Sequence, residues 1–133
     1  MAKNETSALA VLTGKKDAFE LKKLMYNLAT SADTRLSEMI NKPFIIKGVT
    51  FAYAEVTNRE TGELEERERV LVIDNDGNTY HSVAGGLVSS LHNFVNAFGE
   101  EQNGFYIINE DIPAVVESKE TKNGHTYILK LVD

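Results

Sequence analysis

Apolar positions along the chain change period three times. Leu21, Leu24, Met25 and Leu28 fall at i, i+3, i+4 and i+7, the stripe of an amphipathic helix. Asp17 with Glu20 three residues on resembles the capping box that opens such a helix. A second short helix is expected from Asp33, with Leu36, Met39 and Ile40 on one face. The preceding residues 1–14 hold no sustained period and read as a loose arm. From Pro43 the period drops to two. "PFIIKGVTFAYAEVT" is β-branched and aromatic, and its interior Gly48 marks a bulge or bend. "NRETGELEE" is a polar turn, "RERVLVID" a second strand, "DNDG" a tight turn, and Thr79–Val83 a short third strand. Helical spacing then returns. Leu87, Val88, Leu91, Phe94, Val95 and Phe98 make one apolar face, and Gly99 ends it. "IPAVVESK" and "HTYILKLV" close the chain as two strands, and the Asn-Gly of the intervening "ETKNG" is a strong hairpin signal.

From residue 43 onward the order is β–β–β–α–β–β. Few small folds place one helix between a three-strand meander and a final hairpin, and the five-stranded oligonucleotide/oligosaccharide-binding (OB) barrel is one of them. Its first strand is long and bent, and the helix after its third strand plugs the barrel. The expected fold is therefore mainly β with α, an OB barrel preceded by an N-terminal helical extension. Residues 1–41 form the arm and basic helices, and residues 42–133 the barrel.

A length of 133 residues suits one domain with a single core. The chain has no cysteine, which removes disulfides, thiolate metal sites and a cysteine nucleophile. No run of about 18 apolar residues and no signal-peptide pattern is present, so neither a membrane partner nor secretion is expected, and a reducing cytoplasm is the natural setting. The net charge of −6 is unevenly spread. Residues 1–50 carry eight Lys/Arg against five Asp/Glu, whereas residues 51–133 carry six against fifteen. A chain this acidic can hold a polyanion only through a local basic face.

Enzymatic readings find little support. His81, His92 and His125 lack metal-ligand spacing, and Ser82, Ser89 and Ser90 sit in no nucleophile elbow. "DNDG" begins like a calcium loop but lacks the later ligands and the closing Glu. Gly85-Gly86 reads as a tight strand-to-helix turn rather than a phosphate cradle. No catalytic residue, metal or cofactor is expected. Binding of single-stranded nucleic acid fits better, since it needs aromatic rings for stacking interleaved with cations for the backbone. Lys47, Phe51 and Tyr53 share a parity if Gly48 does not shift it. Arg67 and Arg69 share a face of the second strand, Tyr80 and His81 lie on the third, and the last hairpin offers Lys119, Lys122 and Lys130. Tyr127 has the parity of Leu129 and Leu131 and is expected in the core, with Lys130 facing out. A different reading makes the acidic loop at 60–68 a docking site for a basic protein partner.

"KPFIIKGVTFAYAEVTNRETGE" followed by "ERVLVIDNDGNTYHSVAGGLVSSLHNF" resembles the small single-stranded-DNA-binding proteins of tailed bacteriophages. The resemblance spans about residues 40–132. It implies an OB fold, no enzymatic activity, and coating of single-stranded DNA without sequence specificity during phage replication or recombination. Single-stranded DNA is then the main partner, with phage replication proteins and a second copy of the chain as further ones. The Tyr80-His81 pair and neighbouring strand positions are the only site residues it suggests. The chain closes on "ILKLVD", so partner recruitment through an acidic tail is not expected.

Overall fold

The computed structural model describes residues 18–32, 34–102, 104–122 and 124–132. The arm at 1–14, Asp17, Lys15 and Lys16 lie outside the described residues, as do the side chains of Leu21, Lys22 and Met25. Helix α1 (Ala18–Ser31) leads into a two-residue strand β1 (Thr34–Arg35) and a 3-10 turn (Leu36–Met39). Then come β2 (Phe44–Thr57), β3 (Leu64–Asp74), β4 (Thr79–Ser82), helix α2 (Gly85–Phe98), β5 (Gly99–Gln102), β6 (Phe105–Ile108), β7 (Pro113–Thr121) and β8 (Gly124–Leu131).

The architecture is β-dominant, an open mixed sheet of eight strands rather than the five expected. Its main path runs β1-β4-β3-β2-β6-β5, and the β7–β8 hairpin joins it through β2. The helix expected from Asp33 is instead β1 and the 3-10 turn. Its apolar stripe still faces inward, with Leu36 fully buried and Met39 and Ile40 packed on the core. The expectation overlooked the β5–β6 hairpin altogether.

Strand β2 organises the sheet. It pairs with β3 along nearly its whole length, with β6 at Gly48–Thr50 and with β7 at Phe44–Ile45. The register slips between Ile46 and Gly48, which leaves Lys47 as the extra residue of a bulge. That slip keeps one face apolar: Phe44 and Ile46 before it and Val49 and Phe51 after it all pack on the same core.

Two cores lie on opposite faces of the sheet. The inner one joins Phe44, Ile46, Val49, Val70, Val72, Tyr80 and Val116 to the α2 residues Leu87, Val88, Leu91, Phe94 and Val95, with Phe98 packed at its margin. The helix is therefore buried along the face its periodicity predicts. The outer core sets Leu24, Leu28 and Ala32, at the end of α1, against Leu71, Ile73, Phe105 and Ile107.

Among the described residues no strand pairing joins β4 to β8, and α2 takes that place along β8. Gly86 lets the helix backbone approach closely, because an added Cβ would meet the Tyr127 carbonyl and the Thr126 hydroxyl. Ser90 Oγ donates to the Gly86 carbonyl (2.8 Å) and accepts from the Leu129 N–H (3.1 Å), satisfying a strand group that no neighbouring strand reaches. Ser90→Ala is expected to cost about 1 kcal/mol in chemical denaturation, the value of one such bond at a partly solvated site.

Candidate nucleic-acid interface

Side chains alternate across a strand, so the β2–β3 register sorts the candidate residues by face. Phe51 opposes Val70 and Tyr53 opposes Glu68, and these share the inner face with Glu55 and Glu66. Ala52 opposes Arg69 and Ala54 opposes Arg67, on the outer face with Leu71 and Ile73. The run "ERER" thus places its glutamates on one side of the ribbon and its arginines on the other. Arg67 and Arg69 do share a face, but not the face of Phe51 and Tyr53.

Beyond Phe51 on one strand and Val70 on the other, β2 and β3 continue as a two-stranded arm. β6 meets β2 at Gly48–Thr50 and β4 meets β3 at Val70–Ile73, so among the described residues no strand pairs with either edge of the arm. Tyr53 stands on this arm with 70% of its surface exposed, the most accessible aromatic ring of the sheet among the described residues. Phe51 is partly buried: His92 stacks on its ring at 3.9 Å and Tyr106 meets it edge-on at 6.0 Å. His92 is held in turn by Glu68, Nε2 to Oε1 at 2.7 Å. Leu64, 68% exposed, lies nearer the arm's tip.

Tyr80 requires a correction. The sequence reading offers it as a base-stacking residue, but the structure buries it in the inner core, 4% exposed, with Phe44 5.4 Å away. Its hydroxyl donates to Asp74 Oδ2 at 2.7 Å. Asp74 also accepts from the backbone N–H groups of Asp76 and Asn78 and from the Asn78 side chain. The apparent calcium loop is therefore a carboxylate-centred turn, satisfied internally.

Lys47 is also displaced from its expected place, because the bulge breaks the parity shared with Phe51 and Tyr53. Its ammonium donates to Asp111 Oδ1 (2.8 Å) and the Asn109 carbonyl (3.3 Å). Arg67 pairs with Glu65 at 3.0 Å, and Arg69 Nη1 donates to the Ala29 carbonyl in the last turn of α1 at 2.9 Å. His81 opposes Leu71, so it points to the outer face. On the final hairpin Lys119 and Lys130 share the face opposite the core-facing Val116, Tyr127 and Leu129. Both are exposed, as is Lys122 at the turn. Arg35, Tyr106 and His92 neighbour the candidate residues but stand outside the binding set expected from the sequence. The only signal for Tyr106 was the Asn103-Gly104 pair ahead of "FYII".

Among the described residues, no group of three or more histidines and carboxylates is placed to hold a metal ion. No helix among them is long and apolar enough to cross a membrane. The family model of the phage single-stranded DNA-binding protein matches residues 10–131. The chain belongs to that family. It is a single-stranded-DNA-binding protein of phage, and the match takes in α1 as well as the sheet. No curated protein and no solved structure matches the chain.

Proposed function

We propose that this member of the family coats single-stranded DNA without sequence preference during phage replication or recombination, and that it does so without catalysis. The observation that carries the reading is the exposed Tyr53 on an arm whose opposite face presents Arg67 and Arg69. A single strand crossing the arm's open edge sets a base against Tyr53 on one side and its phosphates against the arginines on the other. A ring face accepts any base, which is why such binding tolerates sequence. Lys119, Lys122 and Lys130 extend the cationic surface on the final hairpin, and His81 adds to the outer face. Lys47 and Phe51 support the arm from its base. Tyr80 leaves the binding set.

The fold proposed is a variant of the OB barrel, in which β2, β3, β4, α2, β7 and β8 follow the expected order and β5–β6 is an insertion. Support comes from the long, bulged β2, which pairs with β3 on one side and β7 on the other, and from α2 lying beneath the sheet. Residues 42–133 then make the DNA-holding unit and residues 1–41 an accessory segment. A host-cell cytoplasmic setting follows, with replication proteins and other copies of the chain as neighbours on the coated strand.

The chain has five tyrosines and no tryptophan, so its emission reports tyrosine directly. Titration with an oligo-dT strand is expected to quench that emission, and Tyr53→Phe to keep the binding. Unchanged emission together with no mobility shift of the strand at low salt would overturn the reading.

A further inference from the structure

Strand β1 is only two residues long, yet it brings an arginine to the edge of the sheet. In the parallel β1–β4 pair Arg35 is the register partner of His81, and His81 in turn opposes Leu71 on β3. Leu71 packs beneath α1, so Arg35 and His81 belong to the outer face of the sheet. Arg69 and Arg67 precede Leu71 on the same strand and at the same parity. The four residues make a diagonal from the sheet's edge strand to the arm, drawn from three strands of which β1 is far in sequence from the other two.

The end of α1 borders this diagonal and orients it. The Ala29 carbonyl takes one N–H of Arg69, and a guanidinium has five. The others remain for two oxygens of a phosphate, the bidentate fork in which arginine binds phosphate best. Arg35 is exposed and enters no ion pair among the described residues, while the neighbouring Glu38 carboxylate accepts from the Arg35 backbone N–H at 3.3 Å. The inner face of the same ribbon carries Glu55, Glu66 and Glu68 around Tyr53 and repels a polyanion. The outer face also carries Glu65, paired with Arg67, but Arg35, Arg67 and Arg69 leave it net positive, so of the two faces only the outer one suits a phosphate backbone.

We infer that the phosphates of the bound strand run across the outer face from Arg67 and Arg69 past His81 to Arg35, with the C-terminal end of α1 as one wall. Arg35 is then a phosphate contact supplied by the segment before the sheet's long strands. The inference rests on the single-stranded-DNA reading and assigns its backbone path.

The test compares wild type, Arg35→Gln and Lys42→Gln, each titrated with oligo-dT at several salt concentrations. Lys42 is exposed and lies outside the diagonal, so its substitution removes the same charge elsewhere. Arg35→Gln is expected to lower the slope of log K against log salt by about 0.7, the value for one phosphate contact on a single strand. Lys42→Gln is expected to keep the wild-type slope. An unchanged slope in Arg35→Gln, or an equal loss in both variants, would overturn the track while leaving the wild-type binding and the proposed function in place. Absence of binding by wild type would remove both.

Discussion

Tyr80→Ala is expected to lower stability by about 3–5 kcal/mol, the range for removing a large buried aromatic ring. The ring lies in the inner core beside Phe44, and alanine leaves both a cavity and a buried carboxylate short of a donor. Tyr80→Phe separates the two effects. It keeps the ring, and the loss of the charge-assisted bond to Asp74 costs about 1–3 kcal/mol. The same bond gives a signature in pH. Burial first, and then the Asp74 carboxylate, push the Tyr80 hydroxyl well above its ordinary value of 10.0. Folded protein therefore holds this proton where unfolded protein has released it. Its contribution to stability is complete below that ordinary value and is lost as pH rises through it towards the folded one. The stability of wild type is expected to fall above about pH 10 with a component of up to 1.4 kcal/mol per pH unit that Tyr80→Phe lacks. Denaturant midpoints of the two proteins measured from neutral to alkaline pH check this. Parallel curves would show that Tyr80 is not held as described.

Tyr53→Ala should behave in the opposite way. The ring is 70% exposed and contributes little to either core, so the denaturation midpoint is expected to stay within about 0.5 kcal/mol of wild type. Affinity for single-stranded DNA is expected to fall by about 1–3 kcal/mol, the value of one stacked base. That is a loss of about 5- to 150-fold, read by titration at fixed salt. Tyr53→Phe keeps a ring face and should recover most of the affinity. A Tyr53→Ala variant that binds like wild type would move the stacking platform elsewhere, with Tyr106 and Phe51 as the next rings along the inner face.

The contrast between these tyrosines shows what the sequence can reveal here. Long periodic segments were legible: the apolar face of α2, the β2–β3 and β7–β8 hairpins, and a bulge at Gly48. The alternation in "RERVLVID" placed Arg67 and Arg69 together for the same reason. The faces of short elements were not legible. A four-residue strand such as β4 offers too few positions for parity to decide, and Tyr80 is held inward by Asp74, a partner at the end of β3. Lys47 shares the aromatic face only if parity runs unshifted through Gly48; the extra residue of the bulge reverses it, and a glycine marks such a site without fixing where the register slips. β1 has no local signal, since two residues become a strand only by lying against β4. The β5–β6 hairpin is hidden for a different reason: Glu100, Glu101 and Gln102 have the composition of a loop, although the Asn-Gly that follows them is the same turn signal as the one near the C-terminus.

This acidic chain is expected to bind single strands through a local basic face and an exposed ring. Fluorescence anisotropy of a labelled dT oligonucleotide of about 30 nucleotides, titrated at several salt concentrations beside a duplex of equal length, tests it most directly. Tight binding to the single strand that weakens steadily with salt, and little binding to the duplex, is the expected result. Equal affinity for both, or affinity for the single strand that salt leaves unchanged, would contradict it.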